Sequence, residues 1–160
     1  MAPDAPGPAE CGTEAACYHK RLTMPDMHPE LAPMSDALTN AIRVEVLSRH
    51  SPENSRPIQD EWVFEYTVRI TNLSTETVQL VSRHWIITDA LDHTEEVQGL
   101  GVVGEQPILA PGEAFKYSSW CPLRTPTGLM RGTYRMLRAG GESFEVQIAP
   151  FALNARRTIH

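Results

Sequence analysis

Trp62-Val-Phe-Glu-Tyr-Thr-Val-Arg-Ile-Thr-Asn72 decides the fold. Trp62, Phe64, Tyr66, Val68 and Ile70 fall on one side of an extended chain, and Val63, Glu65, Thr67, Arg69 and Thr71 on the other. A helix would scatter the five large apolar groups round its circumference. A strand gathers them into one apolar face backed by a mostly polar one, the pattern of an antiparallel sheet resting on a core. Upstream, Ile42-Arg-Val-Glu-Val-Leu47 alternates in the same way, across a polar loop holding Pro52 and Pro57. Downstream, past the turn at Asn72–Thr77, Val78–Thr88 is a further strand. There Leu80, Ser82, His84 and Ile86 share one face and Val81, Arg83, Trp85 and Ile87 the other. Both faces carry large apolar groups, so both are expected to be at least partly covered.

The rest of the chain repeats the pattern. A turn at Ala90–Thr94 leads into Glu95-Glu-Val97 and a glycine-rich stretch. Ala114–Cys121 is a strand with Phe115, Tyr117 and Ser119 on one side. Leu129–Leu137 and Ser143–Ile148 are strands joined through Gly140-Gly141, a hairpin signal. Phe144, Val146 and Ile148 point inward, and Pro150-Phe-Ala-Leu153 closes the domain. After Asn40 no window of eleven or more residues keeps a helical period. About seven short strands bounded by turn residues predict an all-β chain, an immunoglobulin/fibronectin type III-like β-sandwich. The Cys-Trp-Cys spacing of antibody domains is absent.

The chain is 160 residues long, enough for one domain with its own core. Its net charge of −6 implies no general affinity for nucleic acid or membrane. Residues 1–38 carry six of the thirteen prolines, six acids and two bases. Such a segment buries too little apolar area to offset its ordering entropy, and a disordered tail is expected there. The sandwich domain is placed at 39–154 and a frayed basic end at 155–160. Met34 opens a second plausible translation start. No apolar run is long enough to span a bilayer, and with no basic stretch followed by an apolar one at the N-terminus no secretory leader is expected. Cys11, Cys17 and Cys121 are an odd set, suited to reduced thiols in a cytoplasm. Cys17, His19 and His28 match no closed zinc pattern.

Candidate chemistry concentrates between Leu80 and Gly104. Gly99-Leu-Gly101-Val-Val-Gly104 fits G-x-G-x-x-G, but in a dinucleotide fold that motif opens a helix whose amides face pyrophosphate. Here Pro107, Pro111 and Gly112 follow and forbid the helix, while Glu95, Glu96 and Glu105 would repel phosphate. Two readings remain. The glycines shape an irregular sheet edge, or their amides form an anion nest for nucleotide or pyrophosphate, aided by Arg83 or His84. Ser82 and His84 share a strand face, but Asp89 lies too far along to orient the imidazole, so no catalytic triad and no enzyme activity are expected. Asp89, Asp92 and His93 surround one turn, with Glu95 close by and His84 and His50 as further candidates. Such oxygen and imidazole donors suit Mg²⁺, Mn²⁺ or Co²⁺. Arg83, His84 and Trp85 are taken as an interaction surface. No cofactor is expected.

Several segments together resemble the bacterial ApaG family. They are Val63–Asn72, Val78–Asp89, Val97–Pro107, Pro111–Ser119, Thr125–Tyr134 and Pro150–Leu153, matching in order and spacing over roughly residues 40–153. The resemblance implies a fibronectin-III-like sandwich and a cytoplasmic protein without a defined reaction. It implies an association with Co²⁺ resistance and Mg²⁺ efflux, which a chain lacking a membrane span cannot perform as a transporter. It maps a suggested pyrophosphate site onto Gly99, Gly101 and Gly104. Related domains in eukaryotic F-box and DNA-polymerase-interacting proteins make protein binding the natural role. The proline-rich tail departs from the family's short N-terminus. The expectation is therefore a non-enzymatic module that binds another protein, with nucleotide or pyrophosphate binding as the alternative and direct divalent-metal binding as a weaker one. Sheet edges also admit a homodimer.

Overall fold

The computed structural model describes residues 18–22 and 34–155. Ten strands run through them: β1 (Tyr18–Leu22), β2 (Ser35–Thr39), β3 (Ile42–His50), β4 (Trp62–Asn72), β5 (Val78–Asp89), β6 (Thr94–Leu100), β7 (Ile108–Leu109), β8 (Ala114–Leu123), β9 (Thr127–Arg138) and β10 (Ser143–Asn154). They form two antiparallel sheets. One has the order β1-β8-β4-β3-β2, the other β10-β9-β5-β6, with β7 pairing the start of β5. This is the expected sandwich. Phe64, Tyr66, Val68 and Ile70 of β4 are wholly buried, and they meet the inward side chains of the second sheet. Trp85 sits at the centre, 5.4 Å from Tyr66, 6.3 Å from Tyr134 and 6.0 Å from Phe151, in edge-on ring contacts. The Tyr117 and Tyr134 hydroxyls bond to each other and join the two sheets.

All six strands read from the alternation are present, β6 forms where the glycine-rich stretch allowed an irregular sheet edge, and three more were not foreseen. The first is β2, which pairs with β3 from Ser35↔Val46 to Thr39↔Ile42. This strand thus starts at Ser35, inside the stretch assigned to a disordered tail. The β2–β3 turn is Asn40-Ala41, with φ of 49° and 66°. Both are positive, as a tight hairpin turn requires. Asn tolerates this region, but Ala gives no such signal, so the hairpin is hidden in the sequence. The second is β1, also within the expected tail, which pairs along β8 from Tyr18↔Ser118 to Leu22↔Ala114. Residues 1–17 and 23–33 lie outside the described residues. The third, β7, is two residues long. At the other end Ala155, placed in the frayed terminus, donates its amide to Pro126 O at 2.8 Å, while 156–160 lie outside the described residues.

Two strands change phase midway. In β5 the partners jump from Leu80↔Met136 to Ser82↔Arg135, leaving Val81 as the extra residue of a bulge. In β10 the jump falls between Ile148 and Phe151. Pro150 sits in that gap, where a missing N–H breaks no ladder bond, and β10 is an edge strand. Its edge is bonded to the other sheet instead: Ser35 Oγ donates to Ala149 O at 2.6 Å and Ser48 Oγ to Ala152 O at 2.9 Å.

Candidate functional site

The bulge at Val81 decides where the side chains of β5 go. Before it Val78 and Leu80 are buried; after it Arg83, Trp85 and Ile87 are. Leu80 was grouped with Ser82, His84 and Ile86, but the extra residue puts it on the opposite face from them.

Arg83 is therefore turned inward and is 7% exposed. Its Nη1 donates to Leu100 O and Gly101 O, both at 2.9 Å. Gly99 stands directly opposite on β6, and a Cβ there would lie 2.8 Å from Arg83 Nη2. The missing side chain leaves room for the guanidinium. Gly101 has φ +66° and donates its amide to Val81 O at 2.8 Å, while a Cβ would meet Glu105 O at 2.3 Å. Val102 and Glu105 then exchange two backbone bonds, 2.8 and 2.9 Å, around Val103 (φ 41°) and Gly104 (φ 82°). Positive φ at both central residues is the two-residue turn that matches strand twist.

The G-x-G-x-x-G stretch thus makes a bulge-linked hairpin. The amides of Gly101, Val102 and Glu105 donate within the protein, and the bonds made by Arg83 Nη1 go to loop carbonyls. His84 points to the opposite face of the sheet. Trp85, proposed as part of an exposed surface with Arg83, is wholly buried. Of the three surface residues, His84 alone faces outward.

The metal candidates are also accounted for. Asp89 Oδ1 accepts the amides of Leu91 and His93, both at 2.9 Å, closing the β5–β6 turn. Asp92 takes φ 64° in that turn. Among the described residues no group of three or more His, Cys, Asp and Glu side chains could hold a metal ion. Cys121 is buried with a free thiol.

On the outer face, His84 lies in a half-open groove of about 390 Å³. Ser82 and His84 form its floor on β5, Gln98 and Leu100 come from β6, and Thr133, Arg135 and Glu145 come from β9 and β10. His84 Nε2 is 2.8 Å from Glu96 Oε1, and Arg135 Nη2 is 3.4 Å from Glu145 Oε2. Leu100, 66% exposed, stands at the rim. The backbone side of Arg83 and Gly99 also lines it, so of its lining residues the sequence had singled out Ser82, Arg83, His84 and Gly99, and not Gln98, Leu100, Thr133, Arg135 or Glu145. Their alternation was readable, but the β10-β9-β5-β6 order that brings them together is a long-range fact.

Fold and groove define an antiparallel β-sandwich whose candidate site is an open surface of mixed charge, not an enclosed cleft with converging donors. The chain belongs to the ApaG family: the ApaG domain matches residues 52–138. Protein ApaG of Bordetella pertussis is 56% identical over 119 residues, covering 74% of this chain and 91% of the relative. Protein ApaG of Anaeromyxobacter sp. strain K is 54% identical over 127 residues, covering 79% and 100%. A crystal structure described as an ApaA protein from B. pertussis covers 80% of this chain and all of its own, at 52% identity and a TM-score of 0.71. No helix among the described residues is long and apolar enough to cross a membrane.

Proposed function

We propose that this protein is a non-enzymatic, cytoplasmic interaction module that binds another protein across the outer face of β6-β5-β9-β10. The groove around His84 carries the reading. It sets an exposed apolar side chain, Leu100, beside the hydrogen-bonded His84–Glu96 pair and the Arg135–Glu145 ion pair. An apolar anchor framed by polar groups is the composition of a protein interface. A catalytic role has no support from the same residues: Ser82 and His84 share the outer face, but Asp89 serves the turn. An influence on cobalt or magnesium would then run through the partner.

Leu100→Glu and Arg135→Glu alter exposed side chains and are expected to leave the circular dichroism spectrum unchanged. Each is expected to abolish cross-linked capture of the partner recovered with the wild type. Capture that survives both changes removes the groove from consideration. A parallel titration with pyrophosphate, read at the amides of Gly99–Gly104, tests the small-ligand alternative. Saturable shifts there would replace protein binding as the preferred reading.

A further inference from the structure

The outer side of β6 is a strand edge. β6 ends the order β10-β9-β5-β6, and on its far side it pairs with no strand among the described residues. Its hydrogen-bond phase follows from the two bonds that bracket it. Asp89 N donates to His93 O at 2.9 Å, and Gly101 N to Val81 O at 2.8 Å. In an antiparallel ladder bonded and non-bonded pairs alternate. Between those ends the bonded pairs are therefore Ile87↔Glu95, Trp85↔Val97 and Arg83↔Gly99. Thr94, Glu96 and Gln98 fall in the other pairs, so their backbone N–H and C=O groups turn away from β5. Leu100 is the next residue in that phase, and Arg83 Nη1 donates to its carbonyl. Arg83 thus ends the open edge at Gln98 and leaves Thr94–Gln98 as a template for an added strand.

Charge decides which strand fits. Residues 89–106 hold β6 and the turns at both its ends. They carry five carboxylates, Asp89, Asp92, Glu95, Glu96 and Glu105, and no lysine or arginine. Glu95 and Glu96 lie on the edge itself, both exposed, and successive side chains of a strand point to opposite faces. Glu96 Oε1 is 2.8 Å from His84 Nε2, yet the Glu96 side chain stays 58% exposed. Val97, 9% exposed, marks where the core reaches the edge. Like charges opposite each other in neighbouring strands destabilise, and opposite charges stabilise. A second copy of this chain would set the same carboxylates against these and is disfavoured. A strand with basic side chains opposite Glu95 and Glu96 and an apolar one opposite Val97 is favoured.

We propose that the Thr94–Gln98 edge of β6 accepts an extended basic segment of a partner protein as an additional antiparallel strand. This names the partner's chemistry for the protein-binding reading above and rests on that reading. It places the contact on backbone groups of the edge, not on the side chains of the groove.

The test uses the full chain and the capped peptide Thr-Ser-Thr-Val-Arg-Lys-Thr, whose Val, Arg and Lys fall opposite Val97, Glu96 and Glu95. In the free protein the amides of Glu95, Val97 and Gly99 are expected to be protected from hydrogen exchange, and those of Thr94, Glu96 and Gln98 to exchange freely. Saturating peptide is expected to slow exchange at Glu96 and Gln98 about ten-fold or more. The peptide is expected to bind about ten-fold more tightly than Thr-Ser-Thr-Val-Glu-Glu-Thr, since two cross-strand pairs change sign. N-methylation of its arginine keeps the charge, removes the N–H that donates to Glu96 O, and is expected to weaken binding about ten-fold. Gln98→Pro takes one donor from the open edge without breaking a β5–β6 bond. It is expected to weaken the peptide similarly while Glu95, Val97 and Gly99 stay protected.

No binding to the wild type, equal affinity for the basic and acidic peptides, or undiminished binding of the N-methylated peptide would each overturn the proposal. So would outward amides already protected in the free chain; protection that grows with protein concentration would assign the edge to a second copy. Binding that Arg135→Glu abolishes and Gln98→Pro leaves intact would move the contact to the groove, overturning the edge while retaining the protein-binding reading.

Discussion

Arg83 shows how one buried charge organises a loop. A guanidinium in a sandwich core needs acceptors, and two come from the carbonyls of Leu100 and Gly101. Those carbonyls turn inward only because Gly99 leaves space and Gly101 takes a left-handed φ. The two turn glycines therefore differ in sensitivity. Gly104→Ala meets no atom within 4 Å and suffers only its φ of +82°, about 1–2 kcal/mol. Gly101→Ala adds a contact of 2.3 Å with Glu105 O, and is expected to lose about 3 kcal/mol or more. Urea denaturation of the two variants gives the ranking directly; equal midpoints would show that the Glu105 contact relaxes freely. The motif was legible as three glycines with no helix after them, which removed the dinucleotide reading. That Arg83 points inward was not, because a bulge at Val81 has no marker in the sequence.

At the scale of elements, the β3–β4 loop contains a titratable lock. Ser55 Oγ donates its one hydrogen to Ser51 O at 2.7 Å and accepts the Val63 amide at 2.8 Å. The His50 Nε2 contact to Ser55 Oγ, 3.1 Å, must then be an N–H donation. The ring also packs at 5.6 Å from Phe64. Burial lowers the His50 pKa below its ordinary value of 6.5, against a smaller opposing effect of Glu53. The unfolded chain therefore takes up this proton more readily than the folded one. Stability from His50 is complete above about pH 6.5 and declines as pH falls toward the folded-state pKa. Unfolding midpoints measured from pH 7.5 to 5 are expected to fall more steeply for the wild type than for His50→Gln. Parallel curves would disprove the lock. Strands with clean alternation, β3, β4, β8 and β9, were readable for the same reason they are stable: one face is wholly core. β2 was missed because Ala41 occupies a left-handed position that its side chain does not favour. β1 was missed because Tyr-His-Lys-Arg-Leu has no apolar period.

For the molecule as a whole, the two sheets are joined by a shared aromatic core and by the Tyr117–Tyr134 hydroxyl bond. Tyr117→Phe and Tyr134→Phe are each expected to destabilise by about 1 kcal/mol. The double variant is expected to fall short of the sum, because both single changes remove the same bond. Strict additivity in a double-mutant cycle would show that the hydroxyls act separately. Fold class was legible because period-2 patterning is local and the core is nearly all apolar. The candidate site was not, because a groove shared by β5, β6, β9 and β10 depends on which strands become neighbours.

The extra residue at Val81 also has a genetic meaning. Loss of that one codon would leave Leu80, Arg83, Trp85 and Ile87 facing the core in unbroken alternation, though without the carbonyl that receives Gly101. Gain or loss of one codon between Arg83 and Asp89 would turn every later side chain of β5 inside out, carrying core residues to the surface. Among single-codon length changes in this strand, position 81 is the tolerant one, and length variation between related genes is expected to collect there.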